Sequence, residues 1–197
     1  MDLYSEAMYK VEDRINSLNE DYRDIYEADL VNHVMCRIKK PESIIKKMKK
    51  KNYELTYQNL IEKVNDIAGV RIVCPFKSDV FEVVEIIREL DDFRVIKEKD
   101  YITTPKKTGY SSYHVILEVP VKMDNTTLYA KVEVQIRTMA MDFWSTLEHE
   151  LKYKSKEKIS NKFSKELVLY AKIINKLDNK FMKVRNKGFD DNFKLIN

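Results

Sequence analysis

The chain has 197 residues, 44% of them hydrophobic, which predicts one domain with an ordinary core. Its 36 basic and 32 acidic residues leave a net charge of only +4, excluding a polyanion-coating tail. Two cysteines, Cys36 and Cys74, are too few and too far apart for a disulfide framework or a zinc site.

In chain order, Met8, Val11, Ile15, Leu18, Tyr22 and Ile25 recur at 3-4 spacing and predict a long amphipathic helix within 1–35. Pro41 opens a second helix through Met48, since proline is tolerated at the first helical position. A third helix is expected over 57–64. The β-branched run over 70–76 predicts a strand stopped by Pro75. Ser78 is the expected cap of a helix that carries Phe81, Val84 and Ile87 on one face. Strands follow over 93–96 and 113–119, then Asp124-Asn125 gives a turn.

The strand over 128–138 alternates cleanly. Leu128, Ala130, Val132, Val134 and Ile136 point one way; Tyr129, Lys131, Glu133, Gln135 and Arg137 point the other. A helix over 141–153 is expected to pack Phe143, Trp144, Leu147 and Leu151. The last helix, from Ser160, carries Phe163, Leu167, Tyr170, Ile174, Leu177, Phe181 and Val184, with fraying from Gly188 onward. No repeat or linker divides the chain. The expected fold is α+β, a small mixed sheet flanked by helices with long terminal amphipathic helices.

The three glycines, Gly69, Gly109 and Gly188, exclude a G-x-x-x-x-G-K-[ST] phosphate loop and a G-x-G-x-x-G fingerprint. A nucleotide would therefore have its phosphates held by Lys and Arg side chains. Asp66 and Glu133 are isolated carboxylates on hydrophobic segments among basic residues. Buried carboxylates are costly unless paired or metal-bound. On the residues alone, two readings stand: a Mg²⁺-phosphate site, or a turn cap at Asp66 and a solvated strand residue at Glu133. The Lys46-Lys47-Met48-Lys49-Lys50-Lys51 run is equally compatible with a solvated helix face. Tyr110 reads as either a base platform or a lid over the core, and His33 as a packing residue.

Three ordered segments bear on the choice: Asp66-Ile67-Ala68-Gly69-Val70-Arg71, Gly109-Tyr110-Ser111-Ser112-Tyr113-His114 and Val132-Glu133-Val134-Gln135-Ile136-Arg137-Thr138. Together they resemble the synthetase domain of the RelA/SpoT alarmone synthetases, particularly the single-domain small alarmone synthetases. The resemblance spans roughly 37–154, within one domain over 1–197 whose terminal helices, 1–35 and 160–187, serve packing or oligomerisation. It implies a GTP diphosphokinase that moves the β,γ-pyrophosphate of ATP to the 3′-hydroxyl of GMP, GDP or GTP, with no hydrolase activity. The sequence shows no signal peptide or apolar run of membrane-spanning length, which predicts a cytoplasmic protein.

The same resemblance implies that Asp66 and Glu133 bind Mg²⁺, with Glu133 the candidate base. Arg37, Lys39, Ser43, Lys47 and Arg71 would bind ATP, Arg37 and Arg71 stacking on adenine. Lys99, Lys106, Tyr110, His114, Gln135 and Arg137 would serve the guanine nucleotide, Tyr110 by stacking. Thr108 and Ser111 depart from the Asn and Arg common in the family and leave the preferred acceptor open. Asn16 and Asn19 stand where some tetrameric members carry basic residues for an alarmone in a central cleft, so that regulation does not carry over. A homotetramer is expected, with no membrane partner. Single-stranded RNA is a possible ligand of the basic helix. The alternatives are a toxin-like tRNA 3′-end pyrophosphokinase and an RNA-binding regulator.

Overall fold

The computed structural model describes residues 2–154 and 161–194, with side chains over 3–151 and 163–187. Its elements run α1 (Asp2–Tyr26), β1 (His33–Ile38), α2 (Pro41–Lys50), α3 (Tyr57–Lys63), β2 (Ala68–Cys74), α4 (Lys77–Glu89), β3 (Arg94–Asp100), β4 (Tyr113–Met123), β5 (Thr126–Thr138), α5 (Met139–Lys154) and α6 (Asn161–Lys194). The strands form one mixed sheet, ordered β1-β2-β5-β4-β3. Only β2 and β5, at its middle, pair in parallel; the other pairs are antiparallel.

Alternation on these central strands divides the molecule. Val70, Ile72, Val115, Leu117, Val132, Val134 and Ile136 are buried on one face. There they share a core with Ala7, Met8, Val11 and Ile15 of α1 and with Val80, Val83, Val84 and Ile87 of α4. The opposite face carries Glu133 and Gln135. A smaller core of Met48, Val64 and Ile67 seats α2 and α3 beside that open face.

Helix starts follow local chemistry. Pro41 occupies the first turn of α2, and Thr56 caps α3 by accepting the Asn59 N–H at 3.2 Å. Ser78 lies inside α4; its expected capping role falls instead to Asp79, whose carboxylate accepts the Phe76 N–H at 3.1 Å. Thr138 Oγ1 accepts the Met141 N–H at 3.2 Å, so β5 passes directly into α5.

Several expectations need correction. Helix α1 ends at Tyr26, and 33–38 forms an edge strand that alternation did not reveal, because its outward residues include Met35 and its half-buried ones Cys36. His33 is exposed on that strand, its ring beside Asn32 Oδ1 at 2.7 Å, and does not pack. Strand β3 extends to Asp100, which places Lys99 on a strand. Phe81 is partly exposed and meets Tyr113 edge-on. On α5, Met141 and Trp144 are buried, whereas Phe143, Leu147 and Leu151 face outward. Helix α6 continues through Gly188 to Lys194; its expected start at Ser160 lies outside the described residues.

The central strands should dominate stability. Leu117→Ala, at a site with no exposure, is expected to cost about 2–5 kcal/mol in urea unfolding. Ile25→Ala, exposed at the end of α1, should cost less than about 0.5 kcal/mol. Equal losses would contradict this division of core and surface.

Candidate functional site

Two cavities open on the polar face of the sheet. One, of about 330 Å³, is lined by Arg37, Arg71, Gln135, Asp66 and Glu133. The other, of about 220 Å³, is lined by Lys47, Lys97, Lys99, Lys106 and His114, again with Asp66 and Glu133. The two carboxylates are therefore common to an arginine-lined and a lysine-lined compartment.

Asp66 precedes β2 and is held by two ammonium groups: Lys39 Nζ is 2.6 Å from Oδ2 and Lys47 Nζ is 2.7 Å from Oδ1. Burial opposes ionisation of this carboxyl, but the hydrogen bonds and charges of Lys39 and Lys47 outweigh it and hold its pKa below the ordinary value. Lys47 reaches Asp66 from α2. Ser43, one turn earlier, is exposed and lines neither cavity.

Glu133 sits on β5, opposite Gly69 of β2 and Ile116 of β4. Gln135 Nε2 donates to its Oε2 at 2.8 Å, and His114 Nδ1 is 3.5 Å from Oε1. Burial again works against the charge, and contacts from His114 and Gln135 reverse it, so the pKa is lowered. Behind these contacts lies a closed polar circuit. Arg137 donates to Tyr110 Oη at 2.7 Å and to Gln135 Oε1 at 2.8 Å. The Tyr110 hydroxyl lies 2.8 Å from His114 Nε2. With Glu133 ionised, the consistent tautomer has His114 Nδ1–H facing Glu133 and Nε2 accepting from Tyr110. Every donor in the ring then points toward the carboxylate.

The loop bearing Tyr110 is a closed turn, with Gly109 N–H on Lys106 O at 2.8 Å and Lys106 N–H on Tyr110 O at 3.0 Å. Gly109 has φ +88°, and a Cβ there would stand 2.5 Å from Ala171 Cβ of α6, so the turn requires glycine. Lys106 Nζ hovers 4.5 Å from the Tyr110 ring centroid and 4.4 Å from that of Tyr101. Lys99 Nζ is 6.0 Å from the Tyr101 centroid.

Comparison with known proteins fits this geometry. The family model described as "Region found in RelA / SpoT proteins" matches residues 36–158. The chain belongs to the RelA/SpoT family. It is 38% identical to GTP pyrophosphokinase YwaC of Bacillus subtilis over 185 residues, which is 94% of this chain and 88% of that one. GTP pyrophosphokinase YjbM of the same organism is 32% identical, over 93% and 86% of the two chains. The crystal structure of small alarmone synthetase 1 from Bacillus subtilis bound to its product pppGpp superposes with a TM-score of 0.88 at 32% identity, covering 94% of each chain. The same enzyme bound to AMPCPP gives 0.80 at 28%, covering 95% of this chain and 94% of that one.

The RelA/SpoT segment contains all the candidate catalytic, metal and nucleotide-binding residues, from Arg37 to Arg137. The structure brings Arg37, Arg71, Asp66, Glu133 and Gln135 together at one cavity and Lys47, Lys99, Lys106 and His114 at the other. Lys39 joins them through Asp66, while Arg137 lies beneath Tyr110 with a side chain only 3% exposed. Sequence reasoning missed Lys97 and Asn65 in the lysine-lined cavity. Extending β3 to Asp100 was the available signal, because it pairs Lys97 and Lys99 with Ile116 and His114. It also missed Asp142, whose Oδ1 meets both Arg71 and Arg137, having the look of an ordinary acidic residue in a first helical turn.

The Asp66 shift fixes a pH dependence. A carboxyl with a depressed folded-state pKa contributes stability that is complete above its unfolded value, near 3.8, and is lost as pH falls through the lower folded value. Lys39→Met removes a counter-charge and leaves the burial, so Asp66 should titrate at higher pH than in the wild type. Carboxyl-carbon NMR titration checks this; an unmoved Asp66 resonance would show that the lysine is not the cause.

Proposed function

We propose that this chain is a GTP pyrophosphokinase that transfers the β,γ-pyrophosphate of ATP to the 3′-hydroxyl of a guanine nucleotide. The observation that carries the reading is the pair Asp66 and Glu133 between the arginine-lined and lysine-lined cavities. Relatives named GTP pyrophosphokinase over nearly the whole length support it.

In this reading Arg37 and Arg71 hold adenine between planar guanidinium groups, a task a lysine cannot perform. Lys39 and Lys47 take the triphosphate, their long stems letting them turn from Asp66 toward phosphate oxygens. Tyr110 stacks on guanine, and Lys99 and Lys106 hold the acceptor's 5′-phosphates. The acceptor 3′-oxygen attacks the β-phosphorus, the bond to the α-phosphate oxygen breaks, and AMP leaves with that oxygen. Glu133 takes the hydroxyl proton. Burial opposes its charge, but contacts from His114 and Gln135 lower its pKa, so it is ionised at neutral pH and can accept that proton. The reaction needs alignment and charge neutralisation, with no covalent enzyme intermediate.

Asp66 and Glu133 are also the residues that would hold Mg²⁺. Among the described residues no group of three or more metal-binding side chains occurs. Two carboxylates nevertheless fit this ion, which is usually held by one or two carboxylates together with substrate phosphates. When bound, Mg²⁺ would neutralise charge on the transferred phosphates.

Incubating the protein with ATP, Mg²⁺ and GMP, GDP or GTP, then separating the nucleotides, should show AMP released together with a 3′-pyrophosphorylated product. No AMP with any acceptor would overturn the reading. Glu133→Gln and Asp66→Asn should each lower turnover by about 10²–10⁴ with the fold retained, and more than about a tenth of wild-type activity in both would sink the assigned site.

Assembly as a homotetramer completes the reading. Tyr170, Ile173, Leu177, Phe181 and Val184 recur at helical spacing along α6 and are all about half exposed or more in the single chain. A stripe of this kind marks an association surface. Light scattering should give a mass near four chains; a mass near that of one 23.5 kDa chain would refute the tetramer.

A further inference from the structure

Arg71 of β2 and Arg137 of β5 lie close together on one face of the parallel pair. Arg71 is in register with Gln135, and Arg137 follows two residues later. Burial, then the nearby Arg137 charge, lowers the Arg71 pKa. Two guanidinium groups in such surroundings need a counter-charge. Asp142 supplies it: its Oδ1 lies 3.2 Å from an Arg71 terminal nitrogen and 3.0 Å from an Arg137 terminal nitrogen, with the side chain 14% exposed. Among the described residues it is the one carboxylate paired with either arginine.

The placement is rigid. Strand β5 ends at Thr138 and α5 begins at Met139, with the Thr138 hydroxyl capping the junction. Asp142 therefore stands in the first turn of α5, directly above the strand that carries Arg137. From there the two arginines have different partners. Arg71 lines the cavity it shares with Arg37. Arg137 donates to Tyr110 and to Gln135, which lines that same cavity.

We propose that Asp142 is a positioning residue that sets the ATP subsite and the acceptor subsite jointly, through Arg71 and Arg137. The proposal rests on the assignment of Arg71 to ATP and Tyr110 to the guanine nucleotide. A single carboxylate oxygen shared by two guanidinium groups ties their positions together, so a loss of charge there releases both. The consequence is a kinetic signature distinct from that of either subsite alone.

Steady-state kinetics of the full chain, varying each substrate, test this. Arg71→Gln should raise the KM for ATP alone and Tyr110→Ala the KM for the acceptor alone. Asp142→Asn should raise both, by about three- to thirtyfold each, and lower kcat as well, because Arg137 also holds Gln135 against Glu133. Asp142→Glu keeps the charge and should shift both KM values in the same direction by less; it carries the same test if the Asn variant fails to fold. In Arg71→Gln/Asp142→Asn, the KM for ATP should equal that of Arg71→Gln alone, because the second change has nothing left to release. An Asp142 variant that moves only one KM, or lowers kcat with both KM values fixed, overturns the proposal. So do effects on ATP that multiply in the double variant. If Arg71→Gln and Tyr110→Ala do not separate the two substrates, it is the underlying subsite assignment that fails.

Discussion

Glu133 projects from the middle of a sheet, and an ionised carboxylate in that position is unfavourable unless donors converge on it. The arrangement around it answers this demand. Gln135 and His114 face its two oxygens, and Arg137 and Tyr110 orient those two in turn. None of these groups is independent of the strand pairing. His114 is opposite Gln135 across β4 and β5, and Arg71 is opposite Gln135 across β2 and β5. A one-residue slip of β5 would send Glu133, Gln135 and Arg137 into the core together. Buried Val132, Val134 and Ile136, which alternate with them, forbid that slip.

The same alternation separates charge in space. Cations surround two carboxylates, but they differ in kind on the two sides: planar guanidinium groups line one cavity and flexible ammonium groups the other. Arginine suits a flat aromatic ring or a fixed fork, and lysine suits a mobile polyphosphate. Without a glycine-rich backbone cradle, phosphate recognition falls to side chains. In the free protein Lys39 and Lys47 neutralise Asp66.

What could be read from the sequence follows from how local each signal is. The row Glu133, Gln135, Arg137 was legible because strand alternation is a property of consecutive residues. So was Trp144 as a structural residue: it is buried, with its indole N–H on Leu167 O at 3.1 Å. Strand β1 was not legible, since an edge strand with one mixed face carries no clean period. The outward turn of Phe143, Leu147 and Leu151 was missed for a different reason. Helical spacing tells which residues share a face, but not whether another element covers it. Asp142 depended on neither pattern; its meaning comes from two arginines on separate strands.

The site also reaches beyond the segment that carries its motifs. Helix α6 lies wholly outside residues 36–158, yet its Ala171 and Val168 pack against Gly109 in the loop that presents Tyr110. Asp178 of α6 accepts the Thr138 hydroxyl at 2.7 Å, just where β5 enters α5. Lys77 at the start of α4 donates to Asn175 and Asn179 of the same helix at 2.6 and 2.7 Å. These contacts fix the inner face of α6 against the loop, the β5–α5 junction and α4 at once. Its outer face carries the apolar stripe. The helix thus joins the wall of the Tyr110 loop to an exposed apolar stripe, and the backing of Tyr110 depends on residues outside the family segment.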